Sequence, residues 1–344
     1  MTDSAPFRIA INGYGRIGQC VLRALYENGF RDRLQVVAIN ELSDIDTIAH
    51  LTRYDSTHGR FQGEISVSDQ DLMVNGDAIR VLRHADPAEL PWGLLDVDLV
   101  LECSGAFSDR ATAQKHIDAG AKRLLFSQPA ESDVDRTVVY GINHRELTGD
   151  DVIVAAASCT TNCLVPVIKV LNDALGVEQG TTTTIHAAMN DQPVIDAYHH
   201  QDLRRTRSAL HNIVPVDTGL AKGIERLLPE MEGKFSSVAM RVPTMNVSAI
   251  DMVVNVRENT DVAAVNTLLK EAANGPLKSI LGYTDELLAS SDFNHDAHSG
   301  VVDGGQTRVT GGTMVKVLCW FDNEWGFANR MLDVSKSWLT KQRT

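Results

Sequence analysis

The residues best equipped for chemistry in this chain lie in the run Ala155-Ala156-Ala157-Ser158-Cys159-Thr160-Thr161-Asn162-Cys163-Leu164. A cysteine thiolate is a strong nucleophile toward carbonyl carbon, but it needs a base and a setting that favours its charge. The apolar run Val152 to Ala157 reads as a buried strand, and Leu164 to Leu175 as helix. Cys159 then stands at a strand-to-helix junction, with Ser158 or Thr160 able to cap the helix. The free N–H groups and dipole of a helix start favour thiolate, so the thiol is expected to fall from about 8.5 toward neutrality. The alternative is a packed core cysteine. Polar neighbours on both sides argue against that for Cys159, whereas Cys163, one turn deeper and followed by Leu164, reads as inert packing. The base is sought among the histidines. His186 ends the β-branched run Thr181 to Ile185, and the small residues Ala187 and Ala188 after it leave its ring accessible. His199 and His200 lie in a polar, arginine-rich stretch, and His295 and His298 in a loop. No cysteine or carboxylate cluster completes a ligand set around His295-x-x-His298, so no metal is expected.

The elements that must position these groups begin with the strand Phe7 to Ile11, which runs into Asn12-Gly13-Tyr14-Gly15-Arg16-Ile17-Gly18. A helix-forming stretch, Gln19 to Glu27, and a second strand, Leu34 to Ile39, complete a βαβ unit. In that context the G-x-G-x-x-G pattern reads as a dinucleotide site, with the pyrophosphate on the helix N-terminus. Gly13, Gly15, Arg16, Ile17 and Gly18 are the expected cofactor contacts. Glu41, at the end of the second strand, is placed to bind an adenosine ribose and would repel a 2′-phosphate, which favours NAD over NADP. Its alternative role is to cap the helix that begins near Asp44. Further strands, Asp98 to Cys103 and Arg123 to Phe126, end at Ser104-Gly105 and Ser127, on the edge where doubly wound sheets bind ligands. Thr137 to Tyr140 is another expected strand, and an antiparallel excursion with an Asn75-Gly76 turn lies between Arg53 and Leu90.

After Cys159 the texture changes to strands at Val238 to Val242, Ala249 to Val256 and Val315 to Phe321, with helical stretches such as Val262 to Ala273 between them. The fold class is therefore α/β: a Rossmann-type doubly wound parallel sheet domain plus an α+β catalytic domain with a mixed or antiparallel sheet. The expected NAD-binding domain is 1–157, with a C-terminal helix over 322–344 packing back on it, and the catalytic domain is 158–321.

With 344 residues, 43% hydrophobic and 22% charged, the composition is that of a globular protein of two domains. A net charge of −13 disfavours nucleic acid and anionic membranes as partners. Five scattered cysteines suit a reducing compartment, and neither a signal peptide nor a spanning run of about 18 apolar residues is seen, so a cytoplasmic location is expected.

Six ordered blocks then carry a specific resemblance. They are Ile11 to Gly18, Ser158 to Asn162, Thr184-Ile185-His186 with Asn190-Asp191-Gln192, Leu203-Arg204-Arg205, Arg241-Val242-Pro243-Thr244 and Asn323-Glu324-Trp325-Gly326. Over essentially its whole length the chain resembles the phosphorylating glyceraldehyde-3-phosphate dehydrogenase family. The resemblance implies that Cys159 is the nucleophile and His186 the general base in oxidation of a small phosphorylated aldehyde. It implies that Arg241 binds the substrate phosphate with Asp191 and Arg204 on the same side. Thr218 and Gly219 would line a second anion site beside Ser158 and Thr160, and Asn323 would hold the nicotinamide amide. It also implies a homotetramer, with the arginine-rich segment Asn190 to Asn212 packed on neighbouring subunits; a solvated basic face is the other reading.

Within the family the chain is most similar to the branch that oxidises erythrose 4-phosphate, through Ile39-Asn40-Glu41-Leu42, Ala188-Met189, Asp202 to Arg207, Pro215 to Thr218, Asp292 to Ser299 and Gly326 to Arg330. Met189 stands where the glyceraldehyde enzymes carry a threonine phosphate ligand, Val216 and Asp217 where they carry serines, and Phe327 where they carry a tyrosine. The first two departures weaken the usual anion sites and favour water over inorganic phosphate as the acceptor of a Cys159 thioester. The competing readings are a glycolytic glyceraldehyde-3-phosphate dehydrogenase and a non-catalytic NAD-binding protein.

Overall fold

Aliphatic and β-branched runs pair into two main sheets, one in each of two units: residues 1–158 with 327–344, and residues 159–326. The structure, a computed structural model, describes residues 5–199 and 202–341, so the reading of His200 falls outside it.

In the first unit β1 (Phe7–Asn12), α1 (Arg16–Glu27) and β2 (Leu34–Asn40) make the expected βαβ unit. Helix α2 (Ile45–Arg53), the short ladder of β3 (Tyr54–Asp55) with β4 (Gly59–Arg60), and an antiparallel run of β5 (Ile65–Ser68), β6 (Asp71–Val74) and β7 (Asp77–Leu82) follow. The Asn75-Gly76 link has positive φ at both residues, 50° and 88°, as a tight hairpin requires. β8 (Leu99–Glu102), α3 (Arg110–Asp118), β9 (Leu124–Phe126), β10 (Arg136–Thr137) and β11 (Ile153–Ala155) complete the unit. The order β10-β11-β9-β8-β1-β2-β7-β6-β5 is parallel from β10 to β7 and antiparallel beyond. The strand expected at Thr137 to Tyr140 is a correction: only Arg136 and Thr137 pair. The Asn143 side chain donates to Thr137 O and accepts from Val139 N, which ends the ladder there. Trp92, Val100, Leu124, Phe126 and Ile153 are fully buried members of one core cluster.

The second unit holds α4 (Cys159–Leu175), β12 (Val177–His186), β13 (Val214–Val216), α5 (Leu220–Leu227), β14 (Phe235–Arg241), β15 (Ser248–Val256) and α6 (Val262–Asn274). β16 (Leu281–Thr284), β17 (Gly300–Thr310), β18 (Met314–Phe321) and α7 (Trp325–Thr340) follow. The sheet, ordered β13-β14-β12-β15-β18-β17-β16, is mixed: β12/β14 and β16/β17 are parallel and the other pairs antiparallel. β15 and β18 bury alternate residues, and α4 covers the sheet with Leu164, Val167, Ile168 and Leu171. α7 crosses the unit boundary; its part from Phe327 onward belongs to the first unit. There Asn329 accepts from Asn28 Nδ2 (2.6 Å), Trp338 Nε1 donates to Thr148 O (3.3 Å), and the Arg123 guanidinium lies over the Trp338 ring.

Candidate active site

The link from β11 to α4 turns through Ala157, held at φ +59°, and makes Cys159 the first residue of the helix. A left-handed alanine costs about 1–3 kcal/mol, which the surrounding packing must offset. β12 ends on His186, whose Nε2 lies 3.9 Å from Cys159 Sγ. His186 Nδ1 is 2.8 Å from the Ala187 carbonyl, which can only accept, so Nδ1 carries the hydrogen and Nε2 offers its lone pair to the thiol. Burial pushes the thiol up to about 11, against the Thr160 N–H and the charge of Arg241. Burial likewise draws His186 down to about 4, against its bond to Ala187 and with the help of Arg241. Burial thus acts against the expected drop of the thiol toward neutrality, which the Thr160 N–H and the charge of Arg241 favour. Cys163 is fully buried, and its free thiol, hydrogen-bonded to that of Cys319, is pushed well above its ordinary range by burial.

In-register pairing of β12 with β14 sets Arg241 beside His186. Arg241 Nη1 donates to Asp191 Oδ1 (3.2 Å) and Gln192 Oε1 (3.4 Å), while Arg205 Nη1 donates to Asp191 Oδ2 (3.0 Å). Two guanidiniums thus share the Asp191 carboxylate, and Asp202 Oδ2 lies 3.7 Å from Arg205 Nε. Arg205, not Arg204, is the arginine that reaches Asp191; Arg204 is exposed in a short turn capped by Asp202. Arg205 and Gln192 stand in blocks that the sequence marks, but nothing in the residue order says which side chain of Arg204-Arg205 turns inward. Met189, 45% exposed, uses its backbone N–H on Gln192 Oε1 (3.4 Å). Thr218 Oγ1 accepts from the N–H of Leu220 (3.2 Å), the first residue of α5, with exposed Gly219 as the N-cap and exposed Asp217 before Thr218. Gly223 of α5 abuts Thr161 of α4, which ties the two helix starts together. Ser158 and Thr160 flank Cys159, both half-buried. Asn323 is buried, and its Oδ1 accepts from Ser248 Oγ (2.8 Å), which itself accepts from Ala187 N–H (3.0 Å). Ser248, invisible in the sequence, therefore links the backbone of Ala187, the residue whose carbonyl holds His186 Nδ1, to Asn323.

In the first unit the glycines show why the motif needs them. A Cβ on Gly13, at φ +87°, would sit 2.4 Å from Ser104 Cα, and one on Gly18 2.4 Å from Gly13 O. Gly15, the N-cap of α1, has nothing within 4 Å on that side, so the space before the helix start is open to a ligand. Ile17 is half-buried in the first turn, and Arg16 donates to Asp55 Oδ2 (2.9 Å). Glu41 accepts from Tyr14 N–H and Leu42 N–H, both at 2.8 Å, which fixes its carboxylate against the glycine loop. Asp44 caps α2, which removes the capping alternative for Glu41. Gly105 has φ +69°, and Ser127, half-buried, bonds to the Cys103 thiol. Open space at a helix N-terminus, a close-packed glycine turn and a ribose-type carboxylate fit a dinucleotide.

A Rossmann-type unit with these features, joined to a mixed-sheet unit that carries a cysteine–histidine pair, defines an NAD-dependent dehydrogenase. Residues 7–110 match the family model described as glyceraldehyde 3-phosphate dehydrogenase, NAD binding domain, and residues 158–323 match the one described as glyceraldehyde 3-phosphate dehydrogenase, C-terminal domain. The chain belongs to the glyceraldehyde-3-phosphate dehydrogenase family, and NAD is its cofactor.

Proposed function

We propose that the chain oxidises erythrose 4-phosphate to 4-phosphoerythronate through a thioester on Cys159 that is released mainly by water. The observation that carries the chemistry is the 3.9 Å approach of His186 Nε2 to Cys159 Sγ, with Nδ1 tied to Ala187. NAD supplies the acceptor for the hydride of the reacting carbon; Gly13, Gly15, Arg16, Ile17, Gly18, Glu41, Ser104, Gly105 and Ser127 are the residues that would hold it, with Asn323 on the nicotinamide amide. The chain's own groups manage the protons. As sulfur bonds to the aldehyde carbon, His186 Nε2 takes the thiol proton and returns it to the oxygen, giving a hemithioacetal. It takes the same proton back as the carbon is oxidised to the thioester. Nε2 then releases that proton to solvent and deprotonates a water that adds to the thioester; the C–S bond breaks and the sulfur leaves as thiol with the proton Nε2 took from the water. Burial raises the thiol and lowers the imidazole, so charge developing on the aldehyde oxygen helps the proton transfer from Cys159 to His186.

The four-carbon substrate is supported by the anion-binding side. Arg241 has one guanidinium nitrogen on Asp191 and Gln192, which leaves its other N–H groups for a phosphate. Met189 offers no hydroxyl, which costs about 1–2 kcal/mol, roughly tenfold, for a substrate shaped to use one. Asp217 places a carboxylate next to Thr218, which weakens that site for inorganic phosphate. The glyceraldehyde reading draws on Thr218 and exposed Gly219 at the α5 start, a place where an anion could still sit. The subunits assemble as a homotetramer, supported by the exposure of Val194, Ile195, Tyr198, Leu203, Leu210 and Ile213, between 57% and 84%, on one segment of a single chain. The test is initial NADH production from erythrose 4-phosphate and glyceraldehyde 3-phosphate, with and without inorganic phosphate. The expected result is a preference for the four-carbon aldehyde and a rate that survives without phosphate. Strict phosphate dependence, or preference for the three-carbon aldehyde, overturns the reading.

A further inference from the structure

A chain of buried polar side chains runs beneath the glycine loop of the first unit. At its centre is Glu102, the last residue of β8 and 1% exposed. Its Oε1 accepts from the Ser104 N–H (2.8 Å) and from the Ser104 hydroxyl. Its Oε2 accepts from Asn12 Nδ2 (2.6 Å) and lies 3.3 Å from His116 Nε2. Trp92 Nε1 donates to His116 Nδ1 (2.9 Å), so the imidazole hydrogen is on Nε2, facing the carboxylate. Asn12 Oδ1 accepts from Asn40 Nδ2 (2.7 Å). Asn40 is clamped to the backbone of His84, donating to its carbonyl and accepting from its N–H, both at 2.9 Å.

The direction of this chain is fixed from one end. The His84 peptide sets which way the Asn40 amide points, Asn40 sets Asn12, and Asn12 then presents N–H to Glu102. Ser104 donates to one oxygen of Glu102 and Asn12 to the other, so the side chain accepts at both. Glutamine would set its own NH2 against either the Ser104 donors or the Asn12 donor. Asn40, Asn12 and Glu102 are in-register partners at the ends of β2, β1 and β8. These are the three strand ends from which the chain turns into Glu41, Gly13 and Ser104, and Gly13 packs directly on the Ser104 backbone.

We propose that Glu102 is a positioning residue of the cofactor site, whose carboxylate fixes the Ser104-Gly105 turn against Gly13 and holds both loops in the conformation that receives the dinucleotide. This rests on the reading of Gly13, Ser104 and Gly105 as cofactor contacts. The test is the dissociation constant of NAD for the full chain without aldehyde, read by calorimetry, with the ligand-free melting temperature alongside. Glu102→Gln is expected to weaken NAD about tenfold, and Ser104→Ala by less, because the hydroxyl is only one of the donors. The double variant should be no weaker than Glu102→Gln alone, since both act through one contact. In turnover, KM for NAD should rise by more than kcat falls. Glu41→Ala is the control for the cofactor reading. If Glu41→Ala weakens NAD while Glu102→Gln leaves it within about twofold, Glu102 is only a structural residue and the inference fails. Independent, additive losses from Glu102→Gln and Ser104→Ala overturn it as well. If neither Glu41→Ala nor Glu102→Gln moves NAD binding, the cofactor placement itself is wrong. Should Glu102→Gln not fold, Ser104→Ala decides alone, and unchanged NAD affinity there overturns the proposal.

Discussion

His186 is buried and Cys159 half-buried, and burial moves the two groups in opposite directions, the thiol up and the imidazole down. Alkylation of Cys159 by iodoacetamide in the ligand-free protein should rise with a midpoint near 11, well above the value of about 8.5 for a free thiol. A midpoint below 8.5 would mean that a thiolate–imidazolium pair already exists. The same shifts set signs for stability. His186 is lowered from 6.5 to about 4, so the unfolded chain protonates first and stability from this group is lost as pH falls through that window. The thiol is raised from 9.0 to about 11, so its contribution is lost as pH rises through that interval. Substitution separates the two nearby cysteines. Cys159→Ser should remove activity by about a thousandfold or more while NAD still binds, because a serine beside so weak a base is not ionised. Cys163→Ala should leave the rate close to that of the parent and lower stability by about 1 kcal/mol, through lost packing against Cys319. Equal damage from both, measured as kcat and by denaturant titration, would put the nucleophile in the wrong place.

At the scale of elements, the glycine loop and Glu41 carry the cofactor preference. Glu41→Ala should narrow the ratio of kcat/KM for NAD over NADP, chiefly by weakening NAD, since it removes a carboxylate already fixed by Tyr14 N–H and Leu42 N–H. Equal use of both cofactors by the parent chain would contradict that role. Much of this frame is legible in the residue order. Strand, glycine loop and helix follow one another from Phe7 to Glu27, and the β-branched run before His186 delivers that residue to a strand end. What escapes has a physical reason in each case. β17 contains Gly304-Gly305 and a register shift between Asp303 and Arg308, so its composition hides a strand that its neighbours impose. Thr137 to Tyr140 has strand-like residues, but the Asn143 side chain takes the backbone bonds that a ladder would use. The inward turn of Arg205, the Ser248 bridge and the buried carboxylate of Glu102 depend on contacts between distant segments, and local pattern carries no trace of them. The helix start at Cys159 is legible, yet the upward push of burial on its thiol is not, because burial is a property of the whole unit.

For the whole molecule, a net charge of −13 sits beside an arginine-rich segment whose large apolar side chains are left in water by a single chain. Ile185 and Val238, on adjacent strands of the second unit's sheet, are exposed as well. Light scattering at micromolar concentration should therefore report a homotetramer, and a fully active monomer would contradict the assembly. No helix among the described residues is long and apolar enough to cross a membrane. The claim on which everything else depends is a thioester on Cys159 that water releases. It is tested most directly by mixing the protein with erythrose 4-phosphate and NAD in phosphate-free buffer, quenching in acid, and mapping the modified peptide by mass spectrometry. The account predicts a 4-phosphoerythronyl group on Cys159 that forms within a turnover and decays to free acid without phosphate. An unmodified Cys159 during turnover, or an acyl group that persists until phosphate is added, would contradict it.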